Sequence, residues 1–299
     1  MENIEQEAGP NSTESPIKCV CWDGDNTLFG WLEYAVFAYE AMCESIAEIS
    51  GKSPEIVAAG MKEFYTSAGT LEHEGLIQGL QTQGFFQDIP NFNQEEAIRK
   101  AQSVFSEERR ERLKTYPGIV DVMKEINNRK IRQVLLTDAP ARQAQARLKH
   151  TRLDEFISEI YAMPSPTVPQ VPDSFKRSPN NKNPKLHILS NEKPHIDLES
   201  ILQMTRKEIS ETVAIIGDNQ SKDMALAVLY DCLGIHAKYG VISDKDLLNR
   251  ILRFSPINVA SRNTQTSSID FTQNNKIKTA STPSDILNFL FSITNHKDL

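Results

Sequence analysis

The strongest signal of the fold is a short apolar run followed by two acidic residues. Residues 17–22 read IKCVCW, and Asp23 and Asp25 follow directly. The apolarity is continuous rather than alternating, which is typical of a strand in a parallel sheet covered on both faces. The run therefore predicts a buried parallel strand with two carboxylates at its carboxyl end.

A helical region follows over residues 33–113. Apolar residues recur there at helical spacing, and Ser53 before Pro54 is a typical helix start. The pattern predicts helices over 33–50, 54–67 and 94–113, and it contains no convincing strand. We therefore expect an all-helical insertion, a cap, after the first strand.

Strands and helices alternate in the rest of the chain. The apolar pattern predicts strands over 131–136, 160–162, 213–216 and 234–237, and helices over 119–127, 141–149, 221–229 and 286–293. Such alternation implies a parallel sheet with right-handed crossovers. The sequence therefore predicts the α/β class, with a Rossmann-like parallel sheet sandwiched by helices.

This pattern also predicts a division of the chain. We expect a core domain formed by 17–32 and 114–299, and a cap domain formed by 33–113. Residues 1–16 have the composition of a flexible tail. Two polar segments, 164–194 and 255–275, are too long for ordinary connections and are predicted to be surface excursions.

The net charge, the apolar runs and the cysteine count exclude some classes of function and location. The net charge of -7 argues against a general nucleic-acid binder. The amino-terminal stretch is acidic and polar, and no apolar run approaches the roughly 18 residues of a membrane span, so we expect a cytoplasmic protein without a membrane partner. The four cysteines are too few and too scattered for a disulfide framework, so we expect buried, reduced thiols.

Polar residues follow several of the predicted strands. Asp23 and Asp25 follow the first, Thr137 a second and Asp218 a third. Ligands of open α/β sheets bind at this edge, so the four side chains are predicted to converge. Taken singly, the acidic run could be an ordinary turn and Asp218 a helix cap. A calcium loop is excluded because its required glycine and glutamate are absent.

Four motifs in order resemble the haloacid dehalogenase-like hydrolase superfamily. The pattern DxDx(T/V) is matched by Asp23, Asp25 and Thr27, and the strand ending in Ser or Thr by Thr137. A lysine followed by proline is matched by Lys193, although Lys176, Lys182 or Lys185 could take its place. The pattern GDxxxxD is matched by Gly217, Asp218 and Asp223. The helical insertion after the first motif resembles the C1-type cap of the phosphoglycolate-phosphatase-like branch.

The resemblance implies a mechanism. Asp23 is the expected nucleophile that forms an aspartyl-phosphate, and Asp25 the expected acid and base. Thr137 and Lys193 are expected to bind the phosphate. Mg²⁺ is the expected cofactor, held by Asp23, the carbonyl of Asp25 and Asp218, with Asp223 holding Lys193 or a metal-bound water. An acid at position 25 favours phosphate chemistry, because the dehalogenases lack one there.

The resemblance leaves the substrate open. We expect a small phosphorylated metabolite, selected by cap residues such as Trp31, Glu33, Tyr34, Tyr65 and His73, although such side chains more often simply pack. One alternative is dephosphorylation of phosphotyrosine on a protein. A second alternative is a catalytically silent binding module of the same fold, against which the intact Asp23 and Asp25 argue.

Overall fold

One parallel sheet organises the molecule. In a computed structural model that describes residues 16–165, 184–255 and 274–291, the strands are β1 (Cys19–Trp22), β2 (Arg132–Pro140), β3 (Glu159–Met163), β4 (Lys185–Ile188), β5 (Val213–Gly217), β6 (Leu233–Ala237) and β7 (Ile277–Ala280). Their order is β4-β3-β2-β1-β5-β6-β7, and every neighbouring pair is parallel. The predicted fold class is therefore confirmed.

Four helices lie between β1 and β2, namely α1 (Trp31–Ser50), α2 (Pro54–Ala68), α3 (Leu76–Thr82) and α4 (Gln94–Arg112). The insertion is helical as predicted, although the short α3 was not predicted and α1 begins two residues early. We use the name cap for residues 33–113. The remaining helices are α5 (Ile119–Asn128), α6 (Ala141–Thr151), α7 (Leu198–Leu202), α8 (Arg206–Thr212), α9 (Ala225–Leu229), α10 (Lys245–Ile251) and α11 (Asp285–Phe291).

The sheet is buried on both faces, which explains the continuous apolarity of β1. Val20 and Trp22 belong to one apolar cluster, and Cys19 and Cys21 to another. Alternate residues of a strand point to opposite faces, so both sets of positions must be apolar. All four cysteines are buried and free, in agreement with the expected reduced thiols.

The cap leaves and rejoins the core at neighbouring points. Phe29, just before α1, forms an antiparallel bridge with Thr115, just after α4. The backbone N–H of Tyr116 donates to the carbonyl of Leu28 at 3.1 Å. The two connections therefore run side by side. Beyond them, apolar residues of the cap and of one sheet face form a single buried cluster.

The polar segment 164–194 differs from its prediction. Its residues 185–188 form β4, an edge strand, rather than part of a surface excursion. The sequence pattern hides this strand because Leu186 and Ile188 are solvent-exposed, so no buried face marks it. Residues 166–183 lie outside the described part, as do 256–273, most of the predicted 1–16 tail and 292–299.

Candidate active site

The loop after β1 presents the first motif at the edge of the sheet. The backbone N–H of Asp23 still donates to the carbonyl of Ile216 in β5 at 2.8 Å, and the N–H of Leu28 closes a turn on the carbonyl of Gly24 at 2.9 Å. Asn26 has a φ of 59°, a left-handed conformation that asparagine tolerates better than most residues. This conformation fits the asparagine at this position.

Lys193 joins two carboxylates at this edge. Its Nζ donates to Asp23 Oδ1 at 2.6 Å and to Asp223 Oδ1 at 2.5 Å. The three side chains, which we call the lysine cluster, are 3%, 11% and 2% exposed in the order Lys193, Asp23, Asp223. Burial alone would lower the pKa of Lys193, but Asp223 and Asp23 outweigh it and raise that pKa. Lys193 is therefore charged at neutral pH.

A third carboxylate, Asp218, completes an acidic triplet with Asp23 and Asp223. One oxygen from each lies within 4.8 Å of the others. Burial raises the pKa of Asp23 to about 7, and burial together with the charges of Asp23 and Asp223 raises that of Asp218 well above its usual range. The single positive charge of Lys193 does not balance the charges of three crowded carboxylates. Such a set of hard oxygen donors fits a divalent cation such as Mg²⁺.

Asp223 uses both of its oxygens within the protein. Besides Lys193, it accepts a hydrogen bond on Oδ2 from the backbone N–H of Asn219 at 3.1 Å. Gly217 is packed against it, because a Cβ at that glycine would lie 2.2 Å from the carboxylate. The fourth motif thus packs its glycine against its final aspartate, and that aspartate is fixed towards Lys193.

Thr137 lies on an irregular part of β2. The strand does not end there, as the sequence predicted, but continues to Pro140 with a register shift between Leu136 and Pro140. Irregularities of this kind re-aim side chains next to active sites. The Thr137 hydroxyl accepts a hydrogen bond from the backbone N–H of Ala139 at 3.1 Å.

A cavity of about 170 Å³ joins these residues. Its lining brings together all six sequence-predicted site residues, Asp23, Asp25, Thr137, Lys193, Asp218 and Asp223. Trp31 and the cap segment Thr70–Glu72 also line it. Of the alternative lysines, Lys185 is exposed on β4, and Lys176 and Lys182 lie outside the described residues.

Asp25 faces a buried arginine that the sequence did not reveal. Arg147, 2% exposed on α6, donates through Nη1 to both carboxylate oxygens of Asp25, at 3.0 and 2.8 Å. Its Nε donates to the Tyr34 hydroxyl at 2.7 Å, and its Nη2 donates to Glu72. Burial would lower the pKa of Arg147, but Asp25 and Tyr34 raise it. We call these four residues the arginine cluster.

Two other polar residues were missed at the rim. Asp138 accepts the backbone N–H of Lys193 at 3.0 Å and the Nζ of Lys222 at 2.6 Å, and Lys222 also bonds Glu192 at 2.8 Å. Both lay beside motif residues in the sequence, Asp138 directly after Thr137 and Lys222 inside GDNQSKD. Their position next to a motif was an available signal, whereas Arg147 had none.

The cap residues proposed for specificity are placed differently from one another. Trp31 lines the catalytic cavity, and Tyr34 belongs to the arginine cluster. Tyr65 and His73 line a second cavity of about 190 Å³, between the cap and α6. Glu33 is exposed on α1.

A comparison with family models assigns this chain to a family. The sequence matches the model for haloacid dehalogenase-like hydrolases over residues 17–228, more than half of the chain. The chain therefore belongs to the haloacid dehalogenase-like hydrolase family, and the expected superfamily is confirmed. No curated protein sequence matches it. Among the described residues, no helix is long and apolar enough to cross a membrane.

Several solved structures are similar to this chain at low sequence identity. A 2-haloacid dehalogenase from Pseudomonas syringae pv. Tomato is 15% identical with a TM-score of 0.50, over 92% of this chain and 98% of that one. A putative beta-phosphoglucomutase from Thermotoga maritima is 17% identical with a TM-score of 0.48, over 93% and 100%. A predicted phosphoglycolate phosphatase from Haemophilus somnus is 16% identical with a TM-score of 0.43, over 92% and 98%. Such likeness concerns the fold alone, so the chemistry must be argued from the site.

Proposed function

We propose that this protein is a magnesium-dependent phosphatase that hydrolyses phosphomonoesters through an aspartyl-phosphate on Asp23. One observation carries the proposal. The Asp23 carboxylate lies 2.6 Å from the buried Lys193 ammonium and inside an acidic triplet suited to a divalent cation. A nucleophilic carboxylate beside a fixed cation and a metal cradle is the arrangement that phosphoryl transfer needs, because negative charge spreads over the transferred oxygens.

The residues divide the reaction between them. A carboxylate oxygen of Asp23 attacks phosphorus, the bond to the leaving oxygen breaks, and Asp25, which must be protonated for this step, gives that oxygen its proton. Asp25 then takes a proton from the water that hydrolyses the aspartyl-phosphate. Lys193 and the Thr137 hydroxyl bind the phosphoryl oxygens.

Asp23, Asp218 and the carbonyl of Asp25 would hold the magnesium ion, which supplies further charge neutralisation when bound. Asp223, whose two oxygens already accept hydrogen bonds, serves to hold Lys193.

The substrate we favour is a small phosphorylated metabolite. The cavity of about 170 Å³ is lined by Trp31 and Thr70–Glu72 of the helical insertion and its start as well as by the core, which suits a compact leaving group better than a tyrosine on a protein surface. The cation and carboxylates of the site are intact, which counts against a silent binding module. A cytoplasmic location and the absence of nucleic-acid and membrane partners stay predictions.

The test is hydrolysis of 4-nitrophenyl phosphate with Mg²⁺ by the wild type and by Asp23→Asn. The variant should lose turnover, and a chelator should stop the wild type. Asp121→Asn, on the exposed face of α5, is the matched control and should keep wild-type activity. Hydrolysis by Asp23→Asn at the wild-type rate would contradict the proposal. A screen of phosphorylated metabolites and phosphotyrosine peptides then separates the two substrate classes.

A further inference from the structure

Arg147 is the one residue of the described site that bonds both the core motif and the cap. Its guanidinium holds Asp25 in the core, and Tyr34 and Glu72 in the cap. Three nitrogens of the guanidinium are engaged, which a planar fork of donors allows and a lysine ammonium does not. The orientation of this fork therefore depends on both parts of the molecule.

The two sides of Arg147 are anchored differently. Its helix, α6, begins at Ala141 directly after β2 and is fixed to the sheet. Glu72 lies in the connection between α2 and α3, and the segment Thr70–Glu72 also lines the catalytic cavity. A substrate in that cavity thus contacts the same cap segment that holds the guanidinium. One continuous set of contacts therefore runs from the cavity lining at Thr70–Glu72 through Arg147 to Asp25.

A neighbouring ion pair separates this link from simple cap attachment. Arg142, also on α6, bonds Glu74 of the same cap connection at 3.0 Å. Both arginines thus join α6 to the connection between α2 and α3. Arg142 pairs with Glu74, whereas Arg147 pairs with both Glu72 and the Asp25 carboxylate. The special property of Arg147 is therefore its hold on Asp25.

We propose that Arg147 is a positioning residue that couples the direction of the Asp25 carboxylate to the position of the cap. The proposal rests on the proposed function, in which Asp25 serves the leaving oxygen. In the arrangement described, both Asp25 oxygens accept from Arg147, so Asp25 can carry a proton and donate it to the leaving oxygen only when the guanidinium releases one of them. Displacement of Thr70–Glu72 by a bound substrate moves Glu72 and turns Arg147 with it.

The first test compares Arg147→Lys with Arg142→Lys. Each keeps the charge but loses the fork, on the same helix and opposite the same cap segment. We measure kcat/KM for phenyl phosphate, a poor leaving group, and for 4-nitrophenyl phosphate, a good one. Misplacing Asp25 harms the poor leaving group more, because its oxygen needs the proton. The ratio of the two kcat/KM values should shift about tenfold in Arg147→Lys and less than about twofold in Arg142→Lys.

A merely structural role for Arg147 would lower both kcat/KM values by the same factor, and this result would overturn the proposal. If Arg147→Lys fails to fold, Glu72→Gln replaces it, with Glu74→Gln as its control. Glu72→Gln removes one charge from the fork and leaves Arg147 and Asp25 in place. Its leaving-group ratio should also shift, and an unchanged ratio would equally overturn the proposal.

A second test does not depend on activity. Asp25 and Glu72 share one guanidinium, so Asp25→Asn combined with Glu72→Gln should lower the melting temperature by at least about 3 °C more than the sum of the single changes. Asp25→Asn combined with Glu74→Gln should be additive. Additivity in both pairs would remove the link through Arg147.

The tests distinguish failure of the proposed function from failure of this inference. A wild type without Asp23-dependent hydrolysis would reject the phosphatase, and the melting temperatures would then decide alone whether Arg147 links Asp25 to the cap. An active wild type with unshifted leaving-group ratios would reject the positioning role of Arg147 and keep the phosphatase.

Discussion

The lysine cluster and the arginine cluster solve the same electrostatic problem in different ways. Each holds one buried cation between two carboxylates, with Lys193 3% and Arg147 2% exposed. The lysine cluster lies within the core, where Asp23 follows β1 and Asp223 follows β5. The arginine cluster joins the core to the cap through Glu72 and Tyr34.

The difference follows from the two side chains. An ammonium is a compact point charge that suits converging carboxylates and a phosphoryl group. A guanidinium is a planar fork that can bond partners on several elements at once. The lysine cluster thus persists wherever the cap lies, whereas the arginine cluster is complete only when cap and core take the arrangement described. In these proposals, phosphate binding therefore belongs to Lys193, and the link between core and cap belongs to Arg147.

Removal of Lys193 should produce the largest effect. Lys193→Met removes the fixed cation beside Asp23, so kcat for 4-nitrophenyl phosphate should fall about 10³-fold. Steady-state kinetics at saturating Mg²⁺ measure this fall. Lys222→Met, which disturbs the rim pairs with Asp138 and Glu192, should cost less than about tenfold. Equal losses in both variants would contradict Lys193 as the phosphate-binding lysine.

Removal of Arg147 should affect stability most. Arg147→Met leaves Asp25 and Glu72 without their shared cation, so the free energy of unfolding should fall by about 3–5 kcal/mol. Denaturant unfolding of wild type, Arg147→Met and Lys193→Met provides the comparison. Saturating Mg²⁺ should restore part of the loss in Lys193→Met, whose freed carboxylates belong to the acidic triplet, and none in Arg147→Met. Equal restoration would mean that the two clusters are not independent.

Metal binding should stabilise the core cluster. At 100 times its dissociation constant, Mg²⁺ should raise the free energy of unfolding of the wild type by about 2.7 kcal/mol. Thermal unfolding with and without Mg²⁺ measures the gain. Asp218→Asn should abolish it, because the acidic triplet loses a charged donor, whereas Glu72→Gln should keep it. A full gain in Asp218→Asn would place the metal elsewhere.

Asp138 should give the smallest effect, and one that depends on pH. Burial would raise the pKa of Asp138, but Lys193 and Lys222 lower it below its usual 3.8. Its folded pKa lies below its unfolded value, so its contribution is present above about pH 4 and is lost as the pH falls through the folded pKa. Asp138→Asn should therefore cost about 1–2 kcal/mol of unfolding free energy at pH 7.

That cost should shrink as the pH falls below about 4. Denaturant unfolding across this range measures the change, with Asp121→Asn as the exposed control. A cost that stays constant with pH would show that Asp138 acts through its shape rather than through its charge.

The two clusters also show how far sequence reasoning reaches. Asp23, Thr137 and Asp218 were predictable because parallel strands bring their carboxyl ends to one edge. Lys193 was found through a motif, on a segment whose length left other lysines open. Arg147 meets partners 75 and 122 residues away, on a helix face and in a cap connection, and no periodicity in the sequence encodes that meeting.

The same reasoning explains the errors in the fold. Prediction relied on buried faces, so it found the central strands and the long cap helices. It missed both edge strands, β4, which exposes Leu186 and Ile188, and β7, which exposes Lys278 and Thr279. It also ended β2 at Thr137, because a register irregularity leaves no mark in the apolar pattern. The bounds of the two predicted domains stay a prediction, since the apolar cluster is continuous across them.

The bridge between Phe29 and Thr115 has a consequence for how this chain could be rebuilt. Because the two ends of the insertion are already paired, the core meets them as it would meet the ends of a short hairpin. The entropy of closing a loop grows only slowly with its length, so the cost of closing the insertion hardly depends on how many residues lie between those ends. A helical module of another length could therefore be joined at this bridge if it buried the same apolar face of the core, and it would have to replace Tyr34 and Glu72 as partners of Arg147.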